Sequence, residues 1–298
     1  MQLDNTSLVI RERSQVDIFD LALQVIRRYL GPLLQTFALG ALPFIVLNEV
    51  LTGWMLSSVA FDDPWDLPGR YLWAQAVLVF LEAQWASALA TYFLGRAVFL
   101  ETPRLRDMVR DVLKMSWSLF LVQGVLRCAV PAMMLYGAVW HTNEIVAPTE
   151  IFLVSLLCLV AAAVRSFRPF ATEIVVLERN KLTSSNRNVI TVGRRSAALH
   201  GPSSGDLFSR WLGSSLVAAL SFVLVFASLY AAWGFLTFHW QLDRVNTRIL
   251  YPLALWIIVF YFTVVRFLSY LDLRIRQEGW EVELRIRAEA ARLVRSPV

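Results

Sequence analysis

The sequence predicts an all-α protein, a polytopic membrane bundle of six transmembrane helices with amphipathic helices on its cytoplasmic side. Three observations lead there. Six apolar stretches, at about 33–57, 71–94, 116–140, 151–174, 211–233 and 249–271, are each near or above the ~20 residues that a helix needs to cross the hydrocarbon core of a bilayer. The composition is 57% apolar and the mean hydropathy is +0.55, well above a soluble domain. The lysines and arginines alternate in density from one connection to the next. In lipid every backbone donor and acceptor must be paired inside its own segment, so stretches of this length are helices.

The basic residues orient those helices. Twenty-one lysines and arginines fall in the N-terminal segment, the second and fourth connections and the tail, against Arg70, Arg244 and Arg248 in the other three connections. Four more lie inside the spans. By the positive-inside rule both termini are cytoplasmic, in a multi-pass protein of the inner (cytoplasmic) membrane. An even number of spans requires the same. A net charge of +5 would suggest nucleic acid in a soluble protein; here the membrane accounts for it, and no nucleic-acid partner is expected. The first apolar stretch starts too late and runs too long for a cleaved leader, so it is expected to remain as the first span.

Taken in order, the chain repeats a unit of surface helix and hairpin, near 14–97, 102–178 and 185–272, followed by a tail at 273–298. The first surface segment, 17–30, opens with Ser14 and Asp17 at the spacing of a capping box. Ile18, Ala22, Val25, Ile26 and Tyr29 form its apolar stripe. The second, 103–114, sets Leu105, Met108, Val109, Val112 and Leu113 against a charged face. Thr102 is expected to cap it, with Pro103 at the first helical position. The third, about 187–200, stops at Gly201 and Pro202. Arginine-rich helices beside a span lie in the headgroup plane or pack on the end of the bundle, and the residues leave both open. Pro43 and Pro131 are expected to kink the first and third spans.

Ionisable residues at membrane depth are costly and are therefore the candidate sites. Glu82 and Arg127 each fall about eleven residues into adjacent antiparallel spans, near the midplane, and are expected to form an intramembrane ion pair. That pair would fix helix register or serve as a gate or proton-coupled element. Arg165, Arg168 and Arg266 fall in the cytoplasmic third, with Glu173 and Asp272 nearby. They snorkel to phosphates of the inner leaflet, or they line a basic pocket for an anion or an anionic lipid headgroup.

Other chemistry finds little support. Gly201-Pro202-Ser203-Ser204-Gly205 matches G-x-S-x-G beside His200, yet a nucleophile elbow needs a strand before the serine. A flexible turn accounts for it. His141 and His239 lack partners at ligand spacing, Cys128 and Cys158 both fall inside spans, and no phosphate-binding or dinucleotide motif occurs. No metal, no cofactor and no catalytic residue is expected. Trp54, Trp65, Trp73, Trp140, Trp233 and Trp240 fall near span ends, as an interfacial belt does. The tail alternates like a strand in places, but Arg274 and Glu278 are four apart, which favours a helix running on from the last span and bending near Gly279.

Three stretches carry a family likeness. The first holds Phe19-Asp20-Leu21-Ala22-Leu23, Arg27-Arg28-Tyr29, Gly31-Pro32-Leu33-Leu34 and Leu42-Pro43. The second runs from Pro169 through Glu173-Ile174-Val175-Val176-Leu177-Glu178-Arg179 to Arg195-Ser196 and Leu199. The third is Tyr270-Leu271-Asp272-Leu273-Arg274-Ile275-Arg276-Gln277-Glu278-Gly279-Trp280. Together these resemble a broad bacterial family of six-span integral membrane proteins, similar to the membrane domain of glycerophosphodiester phosphodiesterases. The resemblance implies fold and location. The phosphodiesterase chemistry of that group resides in a separate soluble domain, for which this chain has no room.

The functional expectation is accordingly a non-catalytic scaffold or accessory subunit of a membrane complex, with membrane lipids, above all anionic phospholipid, and proteins of that complex as partners. The alternative is a transporter or lipid-handling protein that binds an anionic headgroup or solute through the intramembrane arginines. The charge pattern makes a direct prediction. With Cys128 and Cys158 changed to serine, single cysteines at Asp63 and Thr142 should react with an impermeant thiol reagent on intact cells, and one at Ser184 should not. Labelling at Ser184 would overturn the threading.

Overall fold

The computed structural model describes residues 13–56, 68–98, 103–125, 130, 147–184 and 189–279. Among these the protein is all-helical, with no strand beyond one isolated bridge between Lys181 and Thr191. The helices are α1 (Gln15–Thr52), α2 (Gly69–Ala86), α3 (Ala88–Ala97), α4 (Leu105–Lys114), α5 (Ser116–Leu119, running into a π-helical turn Phe120–Val125), α6 (Ala147–Phe167), α7 (Ala171–Glu178), α8 (Val192–His200), α9 (Ser204–Thr237) and α10 (Tyr251–Glu278, preceded by a π-helical turn Asn246–Leu250). Four continuous helical stretches are long and apolar enough to cross a membrane: Gln15–Leu56, Gly69–Ala97, Ser204–Thr237 and Asn246–Glu278. They match the expected first, second, fifth and sixth spans. Of the expected third span the structure describes the short helical stretch Ser116–Val125, and much of 116–140, with Pro131, lies outside the described residues; at the expected fourth stands the 21-residue apolar helix α6, Ala147–Phe167.

The long helices alternate in direction. The start of α1 lies with the ends of α3 and α10, at what the charge rule makes the inner pole. The end of α1 meets the start of α2 and the start of α10 at the outer pole. Contacts at both poles fix this. Arg13 N–H donates to Asp272 at 2.8 Å at the inner pole, and the Gln75 amide donates to Thr52 Oγ1 at 2.8 Å at the outer. Helices α1, α2, α3 and α10 form the centre, with Ile18, Leu33, Phe37, Leu94, Val264 and Phe267 in one buried cluster. Helix α9 packs at the periphery on α6 and α10. Leu216, Leu220, Val223 and Leu224 along it are all more than half exposed, a surface suited to lipid rather than water.

Local signals explain the breaks and caps. Ser14 and Asp17 form the capping box reciprocally, each side chain bonding the other's backbone N–H at 3.2 Å. The first surface helix is not separate from the first span: both belong to α1, interrupted only where Tyr29 leaves helical geometry (φ −117°, ψ 23°). Pro32 explains the site, because its ring and missing N–H disrupt the turn that precedes it. Pro43, the expected kink, leaves its neighbours helical. Helix α4 begins at Leu105 with Arg104 as its N-cap residue, so Pro103 precedes the helix instead of opening it, and Thr102 lies outside the described residues. The expected fourth span is broken after Phe167. Pro169 has no N–H to give and disfavours helical geometry at Arg168, and a new helix, α7, starts at Ala171. The third surface helix starts at Val192, with Thr191 Oγ1 accepting from Arg194 N–H. Helix α10 runs on past the expected span to Glu278 and stops at Gly279, where a bend was expected; Gly279 is left-handed at φ 64°, a geometry that glycine adopts without a Cβ penalty, and the tail beyond it lies outside the described residues.

One close approach sets the centre of the bundle. A Cβ built on Gly40 would overlap the carbonyl of Ala86, so α1 crosses α2 at backbone distance beside the α2–α3 break at Ser87. Gly40→Val should force these helices apart and cost about 1–3 kcal/mol, the usual penalty for overpacking, read as a shift in an unfolding titration in mixed micelles. An unchanged midpoint would show that the crossing is not tight.

Candidate functional site

A cavity of about 480 Å³ opens between α2, α6, α9 and α10, inside the ~300–1,000 Å³ range of small-molecule sites. Its lining runs from Tyr251 near the start of α10 to Arg276 near its end, ~38 Å at ~1.5 Å per residue. The outer part is apolar, with Ala76, Phe80, Ala218, Phe222, Leu255 and Phe262. The inner part is charged, with Arg165, Arg266, Arg210, Arg276, Asp206 and Asp272.

Each charged group is held by a specific arrangement. Arg266 Nε donates to Glu173 Oε1 at 2.5 Å and Nη2 to Ser87 Oγ at 3.0 Å. Glu173 is fully buried, so this partner offsets what would otherwise be a prohibitive desolvation cost. Arg165 is also buried. It donates to the backbone carbonyls of Phe80 and Leu81 at 2.6 and 3.1 Å, and its guanidinium lies 4.6 Å from the centre of the Phe80 ring. Asp272, buried too, accepts from Arg13 N–H, from Arg210 at 3.2 Å and from Arg276. Arg210 reaches Asp206 at 2.9 Å as well. Gln84, another lining residue, accepts from Thr172 at 2.8 Å, which in turn accepts from Gln123 at 2.5 Å.

Below the cavity a second cluster ties the inner pole together. Glu178 accepts a two-pronged bond from Arg195 at 2.6 and 2.9 Å, a 2.6 Å bond from the Tyr270 hydroxyl and a 2.9 Å bond from Asn180. Arg195 also contacts Glu278, which pairs with Arg274 at 2.8 Å. Burial acts to raise Glu178, but the bonds from Arg195 and Tyr270 outweigh it and hold its carboxyl below the usual range. Alongside, Asp111 at the end of α4 accepts from the Tyr92 hydroxyl and from Arg179, both at 2.8 Å, and these bonds lower it also. Arg179 is left-handed at φ 54°, an uncommon state for a residue with a Cβ, and the grip of its side chain on Tyr92 and Asp111 accompanies that geometry.

The structure brings two of the three expected arginines to one place. Arg165 and Arg266 share the cavity; Arg168 is exposed at the α6–α7 break and is not part of the lining. Asp272, expected nearby, lines the cavity too; Arg210, Arg276 and Asp206 join them and were not singled out from sequence. Their spacing was visible, as 206/210 and 272/276 are each four apart on a helix, but nothing in a local pattern says that the two pairs converge. Glu82 is fully buried, and no described residue other than Asn48 offers either of its oxygens a hydrogen bond or ion pair. Arg127, its expected partner, lies outside the described residues.

The G-x-S-x-G segment has a structural explanation. His200 is buried; its Nδ1 lies 2.8 Å from the Ser196 carbonyl, and its Nε2 accepts from Phe170 N–H at 3.4 Å. That assigns the neutral Nδ1–H tautomer. It also supplies an acceptor for a backbone N–H at the α6–α7 break. Ser203 accepts from Gln277 at 2.8 Å. Among the described residues no group of histidine, cysteine, aspartate and glutamate is placed to hold a metal ion.

These features define an all-helical membrane protein with a two-toned cavity. The chain matches no family model, no curated protein and no solved structure, so its function rests on its own geometry.

The inner-pole cluster predicts a pH dependence. Because Glu178 is lowered in the folded state, its contribution is fully present above the ordinary glutamate value of ~4.3 and is lost as pH falls through the lowered value. Glu178→Gln should weaken the protein at neutral pH by about 2 kcal/mol, as expected for bonds to a charged group, and should flatten the acid limb of a stability–pH curve. An acid limb identical to wild type would assign the loss to other groups.

Proposed function

We propose that this is a six-span protein of the bacterial inner membrane, both termini cytoplasmic, that binds an anionic phospholipid in the cavity between α2, α6, α9 and α10 and acts without catalysis, as a lipid-binding scaffold or accessory subunit of a membrane complex. The observation that carries this reading is the polarity of the cavity along α10: apolar from Tyr251 to Phe262, arginine-rich from Arg266 to Arg276. One leaflet of a bilayer has the same sequence of environments, acyl chains near the midplane and phosphates at the inner surface. Arginine suits the phosphate end, since its planar fork matches phosphate geometry and is weakly hydrated. The peripheral position of α9, which forms one wall, suits entry from the lipid side.

The resemblance to six-span bacterial proteins supports the span count and location in this reading. It fits the helices at 116–125 and 147–167 as parts of a third and a fourth span. The alternation of long helices agrees with inner-pole termini.

Native mass spectrometry from gentle detergent tests the lipid site. Ala218→Trp fills the apolar part of the cavity and Arg165→Gln removes one charge from the inner part; each should lower the retained anionic phospholipid several-fold. Arg70→Gln with Arg244→Gln, outside the cavity, should leave it unchanged. Equal retention in all variants ends the proposal.

A further inference from the structure

The face of α2 turned away from the cavity carries a separate feature. Glu82 lies near the middle of the 29-residue stretch Gly69–Ala97, fully buried, with the Asn48 side chain of α1 beside it. Among the described residues, no group other than these two side chains themselves offers a hydrogen bond to either carboxyl oxygen of Glu82 or to either polar atom of the Asn48 amide. Four orphaned polar atoms on two adjacent side chains at membrane depth mark a missing species.

Three species neutralise a buried carboxylate: a cationic side chain, a metal ion or a proton. No described lysine, arginine or histidine meets Glu82. A metal ion takes about six oxygen ligands or more when it is hard, as calcium and magnesium are; Glu82 and Asn48 offer three, and the Asn48 N–H groups would face the ion with the wrong sign. A proton fits. The protonated carboxyl donates to Asn48 Oδ1 while its other oxygen accepts from Asn48 Nδ2, which satisfies all four orphaned atoms at once. Further buried polar groups stand between this pair and the outer pole: Thr52 Oγ1 donates to the Asn48 backbone carbonyl at 2.7 Å, and Gln75 Nε2 donates to Thr52 Oγ1 at 2.8 Å and to the Tyr71 hydroxyl at 3.3 Å. Gln75 Oε1 is a further buried acceptor without a partner among the described residues.

The other titratable and charged groups on the elements packed against α2 are engaged elsewhere. Glu49 of α1 pairs with Arg248 at 2.7 Å, and Tyr251 of α10 donates to the Leu72 carbonyl at 2.9 Å. Arg266 of α10 holds Glu173 and Ser87, and Arg165 of α6 holds the Phe80 and Leu81 carbonyls. Tyr92 and Arg96 of α3 lie with Asp111, Asp272, Arg274, Arg276 and Glu278 of α10 belong to the inner-pole clusters, and Cys158 of α6 adds an uncharged thiol. The charges from Asp17 to Arg28 precede the Tyr29 kink, ~30 Å from Asn48 along α1.

We propose that Glu82 and Asn48 form a proton-binding site at the middle of the membrane. The site is independent of the lipid cavity, from which it is separated by the thickness of α2. Infrared spectroscopy of the full chain in proteoliposomes tests it. At neutral pH the wild-type minus Glu82→Gln difference spectrum should contain a carboxylic-acid C=O band that shifts in D₂O. Carboxylate bands in its place, as a pair with Arg127 would produce, overturn the proposal. Asn48→Leu should keep the acid band but move it to the higher frequency of a free carboxyl; no movement would remove Asn48 from the site.

Discussion

The bundle depends on satisfying polar groups that it has withdrawn from both water and lipid. A continuous helix meets this demand by itself, but here the central helices are broken. The α2–α3 join places Ser87 in the interior, and its hydroxyl accepts from Arg266, which also holds the fully buried Glu173 of α7. The α6–α7 join leaves Phe170 N–H without a helical acceptor, and His200 of α8 supplies one. Arg165 of α6 reaches across to carbonyls of α2. Each contact closes a local deficit and joins two or three helices in doing so. The long-range polar bonds therefore set how the helices meet, and the apolar contacts fill the space between.

The same contacts shape the cavity. Arg165 and Arg266 are held rigidly by carbonyls, Ser87 and Glu173, with the guanidinium groups facing a space whose other walls are aliphatic and aromatic. A flexible snorkelling arginine would not keep such a wall in place. At the inner pole, Asp272 and Glu178 each gather several donors and fasten the N-terminal segment, α7, α8 and α9 to α10. The charged half of the cavity is thus built on the most cross-linked part of the protein, whereas the apolar half is bounded by α9, the helix with the least protein around it.

Helix α2 separates two environments. One face, with Ala76, Phe80 and Ala83, borders the cavity; the other, with Gln75 and Glu82, meets Thr52 and Asn48 of α1. Gly40 lets α1 press against the end of this helix at Ala86. The carboxyl on one side is the proposed proton site, and the guanidinium groups on the other line the proposed lipid site. The two faces share a backbone, since the carbonyls of Phe80 and Leu81 that bind Arg165 immediately precede Glu82.

Much of this protein was legible in the chain. The length and apolar content of the stretches at 33–57, 71–94, 211–233 and 249–271 determined four long helices, because backbone satisfaction in lipid leaves no alternative. Ser14 with Asp17 determined a helix start and Gly279 marked a change of direction, since capping and left-handed geometry are local. Sequence also picked out Glu82, Arg165 and Arg266, because charge at membrane depth is rare enough to stand out. What followed from tertiary structure was how these parts meet. Pro32, rather than Pro43, bent α1, and Pro169 divided a stretch whose hydropathy reads as continuous; hydropathy averages over a window and does not register a single missing N–H. Arg168 and Arg165 share a helix face by spacing, yet the break between α6 and α7 sends one to the surface and the other into the cavity. The convergence of Arg210 and Arg276 on Asp272, and the meeting of Asn48 with Glu82, join residues far apart in the chain. No local pattern encodes such meetings; they arise from helix crossings that one glycine, Gly40, and a handful of buried polar bonds decide.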